Sequence, residues 1–414
     1  MAVRLAAIVG LKTYVISPGL DFTGYGAEMG QIAASIARGD GFAFPAHGPY
    51  PTTIPLPPRN APEPTAWMPP LYPGILALFF FFFGPYSTGA AAGVLVFQSL
   101  VAIATCYFTY SVARIMFDED TGLLAALIFA FYPPAIYVSA RLIWGTALST
   151  CFLLGIVLSC VRCSQRPTRA NGAGLGILMG VQLLNNPVVA SIYPFLYPWL
   201  AFALRGRPRA FFKVAVPSLV ALVLVLAPWV ARNYVVFGHF VPVKSNFGNE
   251  LALGNNELAT GSWWAADWYR ILPAEQLHEL QQLDEVSRNR WLLKRGLHYI
   301  ATHPGRFARL TLKRIQTFWT YVQIGDTPSE RDNIIAASYY PIALLALLGS
   351  IFLIREPPRT CLPLLFLLLF PVAYYVTNAS LLRYRLPLEP ILLIVAAGFV
   401  MSLLRRTHRP AAPA

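Results

Sequence analysis

The chain has 414 residues, 56% hydrophobic and only 12% charged, where a soluble domain carries roughly 25% charged residues, so water cannot be its only solvent. A net charge of +13 would point to nucleic acid in a soluble protein, but most of these basic residues sit in short loops or beside apolar stretches, and no nucleic-acid partner is expected. The five cysteines lie in or beside apolar segments without metal-ligand spacing, and Cys160 and Cys163, though a CxxC, read as lipid-facing or packed thiols.

The first 18 residues hold a short apolar run containing Arg4 and Lys12, which reads as a poor first span or the tail of one rather than a cleaved leader, since no small-residue cleavage site follows. The stretch 70–84, PLYPGILALFFFFFG, is too short to cross comfortably and contains Pro73, so a re-entrant or interfacial helix is expected. Apolar segments near the roughly 20 residues that cross a hydrocarbon core then run over 88–113, 121–140, 143–161, 172–186, 188–204 and 213–231. Between 273 and 321 the pattern turns amphipathic: Leu277, Leu280, Leu283 and Val286 share one helical face, and Pro304 opens a second helix. Three more spans cover 336–354, 362–378 and 386–404. The expected fold is an all-α polytopic membrane protein, a bundle of about ten transmembrane helices with extracytoplasmic loop helices. Its parts are an N-terminal bundle (1–231) with a first outer loop (19–69) and the short helix 70–84, a large outer loop (232–335) and C-terminal spans (336–414).

Orientation follows from the bias of Lys and Arg toward the cytoplasm. Arg162, Arg166 and Arg169, then Arg205, Arg207, Arg209 and Lys213, then Arg355 and Arg359, and finally Arg405, Arg406 and Arg409 all fall on one side. That places 21–68 and 232–335 together on the opposite, extracytoplasmic side. These two regions hold fourteen of the nineteen acidic residues and five of the six histidines, so the polar chemistry is concentrated there. The expected location is the inner or plasma membrane, multi-pass, with the site facing outward.

The first outer loop reads DFTGYGAEMGQIAASIARGDGFAFP from Asp21 to Pro45 and PTAWMPPLYPGILALFFFFFG from Pro64 to Gly84. An acid beyond a first span, a helix of the form IAxSIAxGxGF, and PPLYP before an apolar helix ending FG resemble the GT-C superfamily of glycosyltransferases. More narrowly they are similar to the protein O-mannosyltransferase and aminoarabinose transferase group, which takes sugars from polyprenyl-phosphate carriers. APWVARNYVVFGHFVP (227–242), GNN (254–256) and RYRLPLEP (383–390) resemble the same group in the same order.

The resemblance implies transfer of a sugar from a polyprenyl phosphate to an acceptor hydroxyl of a glycan, lipid or protein, with membrane lipids as further partners. Such a reaction needs a carboxylate base, cations for the departing phosphate and a groove for the lipid. Two acids compete for the base. Asp21 has the family's position just after the first span, whereas Glu28 lies closer to the helix motif; Asp21 could instead cap a helix starting near Tyr25. For the phosphate, Arg383 and Arg385 flank Tyr384 at the outer boundary, and Arg141 and Arg232 end spans on that side; snorkelling to headgroups competes with each. Pro69, Pro70, Tyr72 and His47 complete the expected substrate groove. The family's lysine before the proline pair is Met68 here, so its role does not carry over. His47 with Glu63 is a weak ligand set, so no metal and no cofactor is expected. Asp118, Glu119 and Asp120 read as a solvated cytoplasmic loop, and Trp263, Trp264, Trp268, Trp291 and Trp319 as interfacial anchors. Acceptor recognition is expected from 232–335. The competing class is a transporter or flippase for a lipid-linked saccharide, for which a break at Asn185-Asn186-Pro187 is the main sign.

Overall fold

Backbone polar groups in hydrocarbon must be satisfied within their own segment, and the computed structural model accordingly consists almost wholly of helices. It describes residues 1–16, 25, 27–46, 60–261, 268–320, 329–353, 361–378 and 382–407. In chain order these are α1 (Ala2–Gly10), α2 (Ala27–Arg38), a two-residue antiparallel pair β1 (Ala43–Phe44) and β2 (Glu63–Pro64), α3 (Leu71–Phe83), α4 (Thr88–Met116), α5 (Glu119–Phe131), α6 (Pro133–Ala140), α7 (Thr146–Gln165), α8 (Arg169–Asn185), α9 (Tyr193–Ala203) and α10 (Pro208–Phe237). The region after α10 holds α11 (Phe247–Gly254), α12 (Trp268–Ile271), α13 (Ala274–Gln282), α14 (Glu285–Thr302) and α15 (Pro304–Thr320). The last section holds α16 (Glu330–Leu353), α17 (Cys361–Leu369), α18 (Val372–Val376), α19 (Leu382–Arg385) and α20 (Glu389–Thr407).

The chain is a multi-pass membrane protein, and several of its expected spans are broken. Among the described residues five helices are long and apolar enough to cross a membrane: α4, α7, α10, α16 and the run from α19 through α20; α5 and α6, bent by 53°, make a sixth if joined. The bend follows Tyr132, where Pro133 and Pro134 open α6. The expected span 188–204 splits into a 3-10 turn, Pro187–Ser191, and an eleven-residue α9, while 362–378 splits into α17 and α18 around Pro371. Proline lacks an N–H and clashes with the preceding turn, so each of these positions stops one helix and starts another. The segment 70–84 is the thirteen-residue α3, whose tip leaves Phe81 and Phe82 exposed. The expected poor first span is α1, where Arg4 is buried and donates from Nε to Ser139 Oγ (3.0 Å) and from Nη1 to Ala130 O (3.1 Å).

Helices α8 and α10 pack backbone to backbone. Gly172, Gly176 and Gly180 recur every four residues on α8, and a Cβ at Gly176 would stand 2.0 Å from Ser218 O of α10. Small residues at this spacing let two backbones touch in a medium that offers no hydrophobic drive between helices. Cys160 and Cys163 are buried thiols of α7 in the same apolar core. At one end of the bundle Asp118 caps α5 through Thr121 N (3.0 Å) and pairs with Arg405 (2.6 Å), so the acidic loop and the basic tail share one side.

In the amphipathic stretch 273–321, Leu277, Leu280 and Val286 are buried as expected, but the helix breaks after Leu283, where Asp284 caps α14 through Val286 N and Ser287 N. Pro304 opens α15 as expected. Trp268, expected as an interfacial anchor, is instead completely buried in the core shared by α2, α3 and α4. Trp263 and Trp264 lie outside the described residues.

Candidate active site

A cavity of about 560 Å³ lies where α2 and the residues before α3, the region after α10 and the start of the last span converge. Its polar lining includes Glu28 of α2, Lys244, Glu250 of α11 and Arg383 of α19. Local structure explains each placement. The helix IAASIAR buries Ile32, Ala33 and Ala34 and stops where Gly39 (φ 91°) and Gly41 (φ 77°) take left-handed angles, fixing α2 on the core with Glu28 in its first turn. After α10, Gly238 (φ 63°) ends the helix. The chain then turns back, with Asn233 Nδ2 donating to Val241 O (2.9 Å) and Trp229 Nε1 to Val243 O (2.7 Å), which sets Lys244 at the cavity.

One buried carboxylate bridges the first loop and the segment after α10. Glu285, at the start of α14, accepts from Thr65 Oγ1 (2.6 Å), Ala66 N (2.8 Å) and the Ser245 hydroxyl. It thereby holds the residues before Met68 and Pro69, which line the cavity, against the residue after Lys244.

Glu28, Lys244 and Glu250 keep part of their surface open only because they line the cavity, and they lie deep among protein atoms. Burial raises the Glu28 and Glu250 carboxyls above the usual range and lowers the Lys244 ammonium below it. The charges then act on one another: Arg383 and Lys244 favour ionised Glu28, while Glu250 opposes it and supports charged Lys244. Arg383 lies 3.8 Å from the centroid of the Trp144 ring, and its buried Nε has no hydrogen-bond partner among the described residues. Tyr384 stacks on Tyr374, with ring centroids 4.4 Å apart.

The structure brings Glu28, Pro69, Arg383 and Tyr384 together and takes the other described candidates elsewhere. Arg385 is 1% exposed and paired with Glu389 (2.8 Å, also 1% exposed) inside the bundle, donates to Phe318 O (3.1 Å) and lies over Tyr339. Arg232 donates to Thr65 O (2.9 Å) and Phe42 O (2.8 Å), tying the first outer loop to α10. Arg141 is exposed at the end of α6 and does not line the cavity. Pro70 caps α3, and Tyr72, fully buried, donates to Gln98 Oε1 (2.7 Å) behind the wall. Asp21 and His47 lie outside the described residues. Among the described residues no three His, Cys, Asp or Glu side chains could hold a metal ion.

Sequence reasoning missed Lys244 and Glu250. The available signal was a lysine in VPVKSNFGNE, directly after a span on the side where the charge bias disfavours lysine.

Residues 68–231 match the family model described as dolichyl-phosphate-mannose-protein mannosyltransferase. The apo oligosaccharyltransferase of Archaeoglobus fulgidus aligns over 98% of this chain and 51% of its own, with TM-score 0.57 and 15% identity. AglB from the same organism, in complex with an inhibitory peptide and a dolichol-phosphate, aligns over 98% and 50%, with TM-score 0.58 and 14% identity. ArnT from Cupriavidus metallidurans, bound to undecaprenyl phosphate, aligns over 96% and 76%, with TM-score 0.44 and 12% identity. The chain thus spans about half the length of the oligosaccharyltransferase structures it matches. No curated protein matches its sequence. The family match and the shared fold bear out the resemblance to the GT-C superfamily.

Proposed function

We propose that the chain is a membrane glycosyltransferase that moves a sugar from a polyprenyl-phosphate carrier to an acceptor hydroxyl on the extracytoplasmic face, with inversion at the anomeric carbon. The observation that carries this reading is a cavity faced by two carboxylates, Glu28 and Glu250, and two cations, Lys244 and Arg383. The family description, which names a dolichyl-phosphate sugar, and the dolichol-phosphate in the AglB complex support the donor class.

In the proposed reaction the acceptor oxygen forms a bond to the anomeric carbon as its proton passes to a Glu28 carboxylate oxygen. The bond from that carbon to the phosphate oxygen breaks, and the electron pair leaves with the lipid phosphate. A carboxylate raised by burial is a better proton acceptor than an ordinary one, provided nearby cations keep it ionised. Lys244 and Arg383 meet the charge that develops on the phosphate in a site shielded from water. Glu28 is the base among the described residues; Asp21 stands as the other candidate and is tested beside it. No metal enters the proposal.

One observation favours a transporter reading, the break at Asn185-Asn186-Pro187, which lines the cavity. Proteoliposomes loaded with a panel of polyprenyl-phosphate sugars separate the two. Sugar transfer by the wild type that is lost in Glu28→Gln or Asp21→Asn, with donor binding intact, supports the transferase and names the base. If the wild type consumes no donor while a lipid-linked sugar changes leaflets, the transporter reading replaces it.

A further inference from the structure

Residues 286–325 contain eight Lys and Arg and no Asp or Glu, and the displacement chemistry uses none of them. Four of the eight turn inward: Arg288 donates to Leu283 O (2.6 Å), Arg295 to Gln276 Oε1 (3.0 Å), Arg306 to Glu257 O (2.6 Å) and Arg314 to Val376 O (3.1 Å). The other four, Arg290 and Lys294 on α14 and Arg309 and Lys313 on α15, are exposed and make no ion pair among the described residues. The bias that gathers Lys and Arg at one end of a membrane bundle does not explain them. Arg385, at the start of the last span, donates to Phe318 O of α15, whereas Arg405, at the far end of that span, pairs with Asp118. Helix α15 therefore lies at the end of the bundle away from the basic tail.

Bonds to the bundle fix where α15 stands. The Tyr339 and Tyr340 hydroxyls of α16 donate to Trp319 O (2.9 Å) and Thr320 O (2.7 Å) in its last turn, and Trp319 Nε1 donates to the Tyr375 hydroxyl of α18 (2.8 Å). Tyr340 lies within the apolar face that α16 exposes, with Ile334 before it and Leu344, Leu347 and Ile351 after it. At 1.5 Å per residue, Leu312 and Lys313 stand no more than about 12 Å from Thr320, close enough for lipid headgroups to reach. Arg309, Leu312 and Lys313 share one side of the helix by their spacing, and Leu312 is 68% exposed between the two cations. The helix cannot turn this side inward, because Arg314 on the opposite side is completely buried and bonded to Gly254 O and Val376 O. An exposed leucine between two unpaired cations suits a boundary with negative charge at one level and acyl chains just below it.

We infer that the exposed side of α15 is a docking surface for anionic phospholipid headgroups: Arg309 and Lys313 hold the phosphates, and Leu312 enters the apolar layer beneath them. The inference stands apart from the transferase reading. A zwitterionic headgroup brings its own ammonium, which two unopposed cations repel, so the surface selects headgroups of net negative charge.

The test uses the full-length protein in nanodiscs of phosphatidylcholine with a minor fraction of phosphatidylglycerol. A fluorophore is attached to Gln316→Cys, one turn from Leu312 on the same side; the unsubstituted protein carried through the same labelling is the blank, since Cys151, Cys160 and Cys163 are buried. Quenching by brominated phosphatidylglycerol is compared with quenching by brominated phosphatidylcholine. The native charges are expected to favour the anionic lipid by roughly 5-fold for each cation, about 30-fold for the pair. Arg309→Gln/Lys313→Gln should reduce that preference to about twofold or less, and Arg309→Lys/Lys313→Arg should keep it. Salt near 1 M should abolish it with no substitution, which keeps the test decisive if the double variant folds poorly. Equal quenching by the two lipids at low salt, or a preference that survives both the double variant and high salt, overturns the surface. A fluorophore that neither lipid quenches overturns it too; if polyglutamate then shifts the emission through Arg309 and Lys313, the face docks an acidic protein segment instead.

Discussion

Arg383 and Arg385 are two residues apart, yet the structure gives them opposite duties, and a matched pair of substitutions tests this. Arg385 and Glu389 are each 1% exposed and 2.8 Å apart. Removing one member of such a buried pair leaves an uncompensated charge, at a cost of about 3–5 kcal/mol. With an unfolding entropy of about 2.1 cal/mol/K per residue, 414 residues give about 0.9 kcal/mol/K. Arg385→Met is therefore expected to lower the melting temperature by roughly 3–6 °C. The double variant Arg385→Met/Glu389→Leu, which buries no lone charge, should recover most of that loss. Arg383→Gln, at the cavity, should leave the melting temperature within about 1 °C and weaken polyprenyl-phosphate binding by roughly 10- to 100-fold, as expected for a lost charge-assisted hydrogen bond. The assay is tryptophan fluorescence during heating in one detergent, with donor binding measured on the same samples. An Arg385→Met protein that melts like the wild type but no longer binds donor would refute the assignment.

The pH profile of transfer should be bell-shaped. Glu28 must be ionised to accept a proton and its pKa is raised by burial, so activity falls with acid from a point above the ordinary carboxylate range; Lys244 must be protonated and its pKa is lowered by burial, so activity falls with alkali from below the ordinary lysine range. Glu250 raises both groups, and Glu250→Gln should therefore move both limbs toward lower pH; limbs that stay in place would separate Glu250 from the site. Glu28→Gln should reduce turnover by about 10²–10⁴-fold without loss of donor affinity, a result read from single-turnover transfer beside equilibrium binding. Gly176→Ala should destabilise the bundle by about 1–3 kcal/mol, because the added methyl meets the Ser218 carbonyl, whereas Gly174→Ala, which meets nothing within 4 Å, should not; thermal melting of the two variants decides.

Much of the fold was legible because the membrane is a severe solvent. Long apolar runs become helices, and α4, α7, α10, α16 and the last span appear close to where hydropathy places them. The helix IAASIAR, the glycines after it and the proline at the start of α15 also follow local rules that need no partner. The continuity of the spans was less legible, since the prolines at 133 and 371 break apolar runs whose composition alone looks continuous. The GxxxGxxxG face of α8 stood in the sequence, but only packing showed that it meets α10.

The sequence by itself determined a helical membrane bundle, two polar stretches that break its apolar runs, and a resemblance to the GT-C superfamily. Which charges meet was decided only by tertiary structure. Arg383 and Arg385 are nearly adjacent and alike in sequence, but the turn through α19 sends one to the cavity and the other to Glu389. Lys244 and Glu250 lie more than 200 residues from Glu28 along the chain and share a site with it where Glu285, Arg232 and the bond from Ser245 N to Ala66 O hold the two segments together. Hydropathy is a property of each residue in its solvent and can be read one segment at a time. A catalytic site is a property of distances between segments, and those are set only when the helices pack.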